Sequence, residues 1–236
     1  MKVTAVIVAK RESRRLNNKN MLPFGRSNLL GAKITELGGC ETIDEVVVGS
    51  NCDEMLSFAR SLGAEGVKRE EVYCDEDACP ANRMIGNMCS LIETDVVVWA
   101  HCTNPLIRAK TYDESVRLYL KKVKEYDGRG QMSGGSLFDS LISVDLVQEH
   151  FWHGGNFSYP LYHDPYHGEH VLAKDLPKLY KQNGAIFIQS HEKMKENSYF
   201  YGENPYLFTT PEEESFDINT ELDYRVAKHI YENFFI

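Results

Sequence analysis

Three short runs, "VTAVIVA" (Val3–Ala9), "EVVVGS" (Glu45–Ser50) and "DVVVWAH" (Asp95–His101), constrain this chain more than any other feature. Each is continuously apolar and rich in β-branched residues instead of alternating, the pattern of a strand covered on both faces. The segments between them read as helices. The spacing predicts one over Asn28–Leu37, closed by Gly38 and Gly39, and one over Asp53–Leu62, opened by Asp53 as cap and closed by Gly63. A third covers Pro80–Ile92, and "TYDESVRLYLKKVKEY" follows with Thr111 as its N-cap. Strands alternating with helices imply a layered α/β fold with a mainly parallel sheet.

The pattern then changes. Asp127–Gly135 is glycine-rich and reads as a loop, and Ser140–Val147 reads as a strand. Residues 148–170 hold aromatics and histidines with no steady period. Gly184–Gln189 and Pro205–Thr210 read as later strands, and an amphipathic helix runs to Ile236. No linker divides the chain, so residues 1–236 are expected to form one domain, with a lobe inserted around residues 148–180.

Directly after the first apolar run, five cations fall within ten positions: Lys10, Arg11, Arg14, Arg15 and Lys19. The whole chain is acidic, with 26 Lys and Arg against 35 Asp and Glu and a net charge of -9. That balance argues against a nucleic acid polymer as partner, because such binding rests on many neutralised phosphates. A compact basic loop in an acidic chain suits a small anion instead. Ligands of open α/β sheets sit at the carboxyl ends of the strands, which is where this loop falls. Lys and Arg both suit phosphate oxygens, Lys as a point charge and Arg as a bidentate donor. Neither the Walker pattern nor the dinucleotide fingerprint is present, so a phosphate site and a solvated basic loop both remain open. The six cysteines are scattered without a Cys-x-x-Cys pair, as expected of free thiols in a reducing compartment, so the cytoplasm is the expected location. No apolar run approaches the ~20 residues that span a bilayer, and the N-terminus lacks secretory features, so no membrane partner is expected.

The residues also carry a resemblance. "VIVAKRESRRLNNKNMLPFG" resembles the N-terminal signature of the CMP-sialic acid synthetases and related CMP-sugar-acid cytidylyltransferases, approximately A-R-x-x-S-K-x-x-x-x-K-N. Ala9, Lys10, Ser13, Arg14, Lys19 and Asn20 fall in register, with Lys10 for Arg and Arg14 for Lys, and Arg15 where the family often has glycine. Further along, "KREEVYCDEDA" is similar to the family's R-P-x-E-L segment, and "DVVVWAHCTNPL" to its V-x-L-Q-x-T-S-P-L. "DSLISVDLVQEHFW", "KDLPKLYKQNGAIFI" and "SFDINTELDY" match later family motifs in the same order.

The resemblance implies a three-layer, Rossmann-like nucleotidyltransferase fold with a small dimerisation lobe, and transfer of CMP from CTP to an acidic sugar with release of pyrophosphate. It places Lys10, Ser13 and Lys19 at the triphosphate, with Arg14 and Asn20 beside them, the backbone of Val8, Ala9 and Lys10 near the nucleoside, and Arg69 on cytosine or ribose. Mg²⁺ is the implied metal, held by an Asp-x-Asp pair that here reads Asp217 and Asn219. Asp223 matches a later family aspartate, and also fits a plain helix N-terminal charge. His101, Thr103 and Asn104 fall where relatives contact acceptor or phosphate. His101 stands for a Gln there, and both a general base and a neutral hydrogen-bonding histidine fit that position. Where relatives commonly carry Arg-Arg before Q-D-L-P, this chain has Leu172 and Ala173, followed by Lys174 for Gln, which makes Lys174 a candidate for the acceptor carboxylate. That departure leaves a phosphonate or other non-sugar acceptor open, and together with Asn219 it also leaves open a nucleotide-binding protein with lapsed catalysis. A zinc reading of His163, His167 and His170 competes with solvent-exposed or dimer-contacting histidines. The resemblance implies a homodimer, for which Phe151, Trp152, Phe157, Tyr159 and Tyr162 suit an interface.

Overall fold

A computed structural model describes residues 1–11, 16–75, 77–123, 138–162 and 168–235. The three apolar runs form neighbouring parallel strands: β1 (Val3–Ala9), β2 (Glu45–Ser50) and, later in the chain, β4 (Val96–Ala100). A short strand, β3 (Glu65–Lys68), extends the sheet beyond β2. The second half supplies β5 (Ser140–Val147), β6 (Leu179–Ser190) and β7 (Pro205–Thr209). Together they make a seven-stranded sheet in the order β7-β5-β6-β4-β1-β2-β3. Only β6 runs antiparallel to its neighbours, so the sheet is mainly parallel, as the sequence pattern requires.

Helices cover both faces. One layer holds α1 (Leu29–Gly38), α2 (Asp53–Ser61), α4 (Ala109–Lys122) and α6 (Glu221–Phe234), packed on Ala5, Ile7, Val48, Val98 and Ala100. The other holds α3 (Ala81–Ser90) and α5 (His191–Asn197), packed on Val6, Val47, Val97, Trp99 and Phe187. Continuous apolar strands result, because alternate side chains of each strand enter opposite cores.

Some local expectations differ from the structure. Asp53 is not the cap of α2; Cys52 holds that position, tied down by Cys52 N donating to Ser50 Oγ, while the Asp53 carboxylate pairs with Lys68 Nζ at 2.7 Å. Thr111 does not cap α4 either. The helix starts at Ala109, whose amide donates to Glu36 Oε2 at 2.9 Å, so a carboxylate from α1 does the capping and Thr111 lies buried in the first turn. Strand β6 begins at Leu179, five residues before the expected Gly184, because its first half pairs with the far end of β5. The aromatic tract begins on that extension, where Trp152–His153 pairs with Tyr159–Pro160. The glycine-rich Asp127–Gly135 stretch and the histidines His163 and His167 lie outside the described residues.

Candidate active site

The carboxyl ends of β1, β3 and β4 open onto a cavity of about 480 Å³. Val8, Ala9, Lys10, Lys19, Asn20, Arg69 and His101, all candidates from the sequence, line it together. Ser13 and Arg14, with Arg15, lie outside the described residues.

Each of these side chains is held by an identifiable device. Lys10 follows β1 directly, and Asn20 Nδ2 donates to Lys10 O at 3.1 Å, closing the two ends of the basic loop on each other. Lys19 opens a short turn, Lys19–Met21, entered through Asn18 in the left-handed region (φ 50°), which asparagine tolerates. Its Nζ donates to Ile218 O at 3.1 Å. Arg69 follows β3, with its amide donating to Ser50 O at 2.9 Å. Its stem crosses β2 at Gly49, where a Cβ would come within 2.8 Å of Arg69 Cδ. The guanidinium donates from Nη2 to Tyr73 O at 2.6 Å, yet its Nε is buried without a partner among the described residues. Burial lowers the pKa of this arginine, and a cation so enclosed with an unused donor is suited to an anionic or polar ligand in the cavity.

His101 ends β4. Its ring packs edge-on against Phe187 and Phe200, and Nδ1 donates to Gly184 O at 2.8 Å. Burial, the largest influence, pushes its pKa below the ordinary histidine range; the Gly184 bond and Asp217 pull the other way, and Lys33 and Lys19 add to the depression.

The segment Asp217–Asn219 is pinned beside Lys19. Ile218 is fully buried, its amide donating to Thr103 O at 2.8 Å and its carbonyl accepting from Lys19. The flanking side chains therefore share one side, as alternate residues of an extended segment do. Asn219 Nδ2 donates to Asp217 Oδ2 at 2.6 Å. The other oxygen of Asp217 and the amide oxygen of Asn219 accept no hydrogen bond among the described residues. Two hard oxygen donors fit Mg²⁺, which keeps several waters and takes further ligands from phosphates. Among the described residues no group of three or more His, Cys, Asp and Glu side chains is placed to hold a metal by itself. Asp223 points at the backbone: its Oδ2 accepts from Asn219 N at 2.9 Å and Thr220 N at 2.7 Å, completing a capping box at the start of α6.

The remaining acceptor candidates do not line this cavity. Asn104 is buried, with its carbonyl accepting from Lys33 Nζ at 2.7 Å and its amide directed at Asn183 O. Thr103 contributes its carbonyl to Ile218. Lys174 is exposed in the turn Ala173–Asp175, where its carbonyl accepts from Gln148 Nε2 at 2.8 Å. Sequence reasoning missed other lining residues, namely Tyr73, Cys74, Asp75, Cys79 and Met84. Their only signal was proximity to Arg69 in the chain. It also missed a partly buried polar network on the β5–β6 side. There Asn183 Nδ2 donates to Asp145 Oδ1 and Thr210 Oγ1, both at 2.8 Å, and Lys181 pairs with Asp145 at 3.3 Å.

Comparison with known proteins gives a consistent picture. A family model described as cytidylyltransferase matches residues 4–233. Pseudaminic acid cytidylyltransferase of Campylobacter jejuni is 20% identical over 98% of this chain and 97% of its own length. CMP-N,N'-diacetyllegionaminic acid synthase of Legionella pneumophila is 24% identical, again over 98% of this chain and 97% of its own. Among solved structures, a CMP:2-keto-3-deoxy-manno-octonic acid synthetase complexed with CTP shares the fold with a TM-score of 0.67, at 11% identity over 98% of this chain and 99% of that one.

Proposed function

This chain belongs to the cytidylyltransferase family, and from that premise we propose that it transfers CMP from CTP to a hydroxyl of a small acidic sugar of the nonulosonic class, releasing pyrophosphate. The observation that carries this reading is the convergence of Lys10, Lys19 and the partly unsatisfied Arg69 on one cavity, with Asp217 and Asn219 fixed beside Lys19. Relatives named for pseudaminic and legionaminic acids support the acceptor class.

The acceptor oxygen attacks the α-phosphorus in line, so the protein's task is positioning and stabilising charge on phosphate oxygens. Lys10 and Lys19 supply fixed positive charge there, joined by Ser13 and Arg14 of the same loop. The backbone of Val8 and Ala9 flanks the nucleoside, and Arg69 donates to cytosine or ribose. Asp217 is the principal ligand for Mg²⁺ and Asn219 a secondary one. The metal, when bound, neutralises the triphosphate and the departing pyrophosphate. On the acceptor side, His101 lines the cavity, and Thr103, Asn104 and Lys174 are the further acceptor-contacting candidates, lying outside the cavity lining.

We further read residues 1–236 as one catalytic domain whose lobe around 148–180 pairs two copies into a homodimer. Exposed Trp152, Phe157, Tyr159 and Tyr162 support that assignment. Six free thiols suit the cytoplasm, and no helix among the described residues is long and apolar enough to cross a membrane.

Pyrophosphate release, measured with CTP, Mg²⁺ and a panel of nonulosonic acids and phosphonates, tests the reading. Turnover of a nonulosonic acid is expected. Turnover confined to phosphonates selects the other acceptor class, for which Leu172 and Ala173 in place of arginines speak. Tight CTP binding with no turnover of any acceptor would make the chain a nucleotide-binding protein only.

A further inference from the structure

The transfer just described releases a proton from the acceptor hydroxyl, and no residue assigned so far receives it. Resting on that reading, we propose that Nε2 of His101 takes this proton as the acceptor oxygen attacks the α-phosphorus.

The tautomer carries the argument. His101 Nδ1 lies 2.8 Å from Gly184 O, and a carbonyl oxygen can only accept, so the hydrogen sits on Nδ1. Burial keeps the ring neutral at pH 7, which leaves Nε2 with its lone pair. Edge-on contacts with Phe187 and Phe200, each at 6.0 Å between centroids, hold the ring plane and oppose a flip that would exchange the nitrogens. Nε2 makes no hydrogen bond among the described residues, and His101 is one of the residues that line the cavity.

Topology puts this nitrogen on the correct side. The sheet order β4-β1-β2-β3 separates the end of β4 from the end of β3 by three strand spacings, roughly 14 Å. A nucleoside at Arg69 with its phosphates over Lys10 on β1 therefore leaves the β4 side to the acceptor. Several other polar side chains of the cavity are poor alternatives. Lys10, Lys19 and Arg69 are cations without a lone pair, burial pushes the Cys74 thiol up so that it keeps its proton, and Asp75 belongs to the distant β3 side.

The step balances. A bond forms between the acceptor oxygen and the α-phosphorus, and the bond from that phosphorus to the bridging oxygen breaks, its electron pair leaving on pyrophosphate. The hydroxyl proton passes to Nε2. The resulting imidazolium is held by the Gly184 carbonyl, which accepts from Nδ1, and it loses the proton to solvent after product leaves.

The test uses the full chain with CTP, Mg²⁺ and pseudaminic, N,N'-diacetyllegionaminic or N-acetylneuraminic acid as acceptor. His101→Gln, which keeps volume and polarity, and His101→Gly should bind CTP as wild type does. The expected fall in kcat is about 10²- to 10⁴-fold for both, with imidazole restoring part of the rate only in the glycine variant, where there is room for it. A glutamine variant within threefold of wild-type kcat overturns the assignment, as does a glycine variant that binds CTP but gains nothing from imidazole. If wild type binds CTP yet releases no pyrophosphate with any of the three acids, the transfer reading itself fails and takes this one with it.

Discussion

Lys33 carries its ammonium group into the layer between α1 and the sheet, where Nζ donates to Asn104 O and Tyr112 Oη at 2.7 Å each. Burial lowers its pKa to about 8, against 10.5 for an ordinary lysine, with Cys102 and Glu36 opposing the fall. Between these two values the unfolded chain binds the proton and the folded chain does not, so stability rises with pH across that window and the full cost is present below it. The thiols of Cys40, Cys89 and Cys102, pushed up to about 12 by burial, act oppositely above pH 9. Lys33→Met removes the first effect and changes the second only through the lysine charge that opposes the rise at Cys40 and Cys102, so the difference between the two proteins reports chiefly on the lysine. Urea unfolding should show wild type gaining about 2 kcal/mol on the variant between pH 7 and pH 10, and a constant difference would refute the assignment. This residue was invisible in the sequence because lysine at a helix position reads as a solvated face. Arg69 was legible through its motif, whereas its orphaned Nε appears only once Gly49 brings the stem across β2.

At the scale of elements, the start of α6 does two jobs. Asp223 accepts from the amides of Asn219 and Thr220, Thr220 Oγ1 accepts from Asp223 N, and the same turn carries Asp217 and Asn219. Asp223→Ala removes one half of this capping box and the anchor of the Asn219 backbone. The expected cost is about 1 kcal/mol of stability, or a fall in Tm of roughly 2–4 °C, together with a higher Mg²⁺ requirement for pyrophosphate release. An unchanged Mg²⁺ requirement in a variant with the lowered Tm would separate the cap from the metal segment. Elements whose identity is written in their own residues were legible, and those defined by distant partners were not. Strands β1, β2 and β4 announce themselves by continuous β-branched runs. The cap of α4 is a carboxylate from α1, and the first half of β6, "LYKQN", is largely polar because it extends past the covered part of the sheet, so neither could be read locally. The seven residues of α5 are too few to establish a period.

For the whole molecule, the order of strands explains how an acidic chain holds a cationic pocket. Lys10, Arg69 and His101 are far apart in sequence, and parallel strands bring their carboxyl ends to one edge. The alternation of strands and helices put Lys10 and His101 at such ends, while Arg69 followed only from the family resemblance. The placement of the aromatic tract did not follow from the alternation, because its residues obey no period. Phe157 is 85% exposed, Tyr162 58% and Trp152 56%, a concentration of apolar side chains that a lone copy leaves in water. A stable interface needs about 800 Å² on each partner, and the proposed twofold pair would draw on these exposed side chains by reciprocal contact. Equilibrium sedimentation at tens of micromolar should therefore give a dimer. Replacing Trp152 and Phe157 together by Glu should give a monomer with an unchanged far-ultraviolet spectrum and unchanged CTP affinity, since neither residue touches the cavity. A monomeric wild type, or a double variant that still dimerises, would move the contact elsewhere on the molecule. Loss of turnover in the monomeric variant, with CTP affinity intact, would further assign the lobe a share in holding the acceptor.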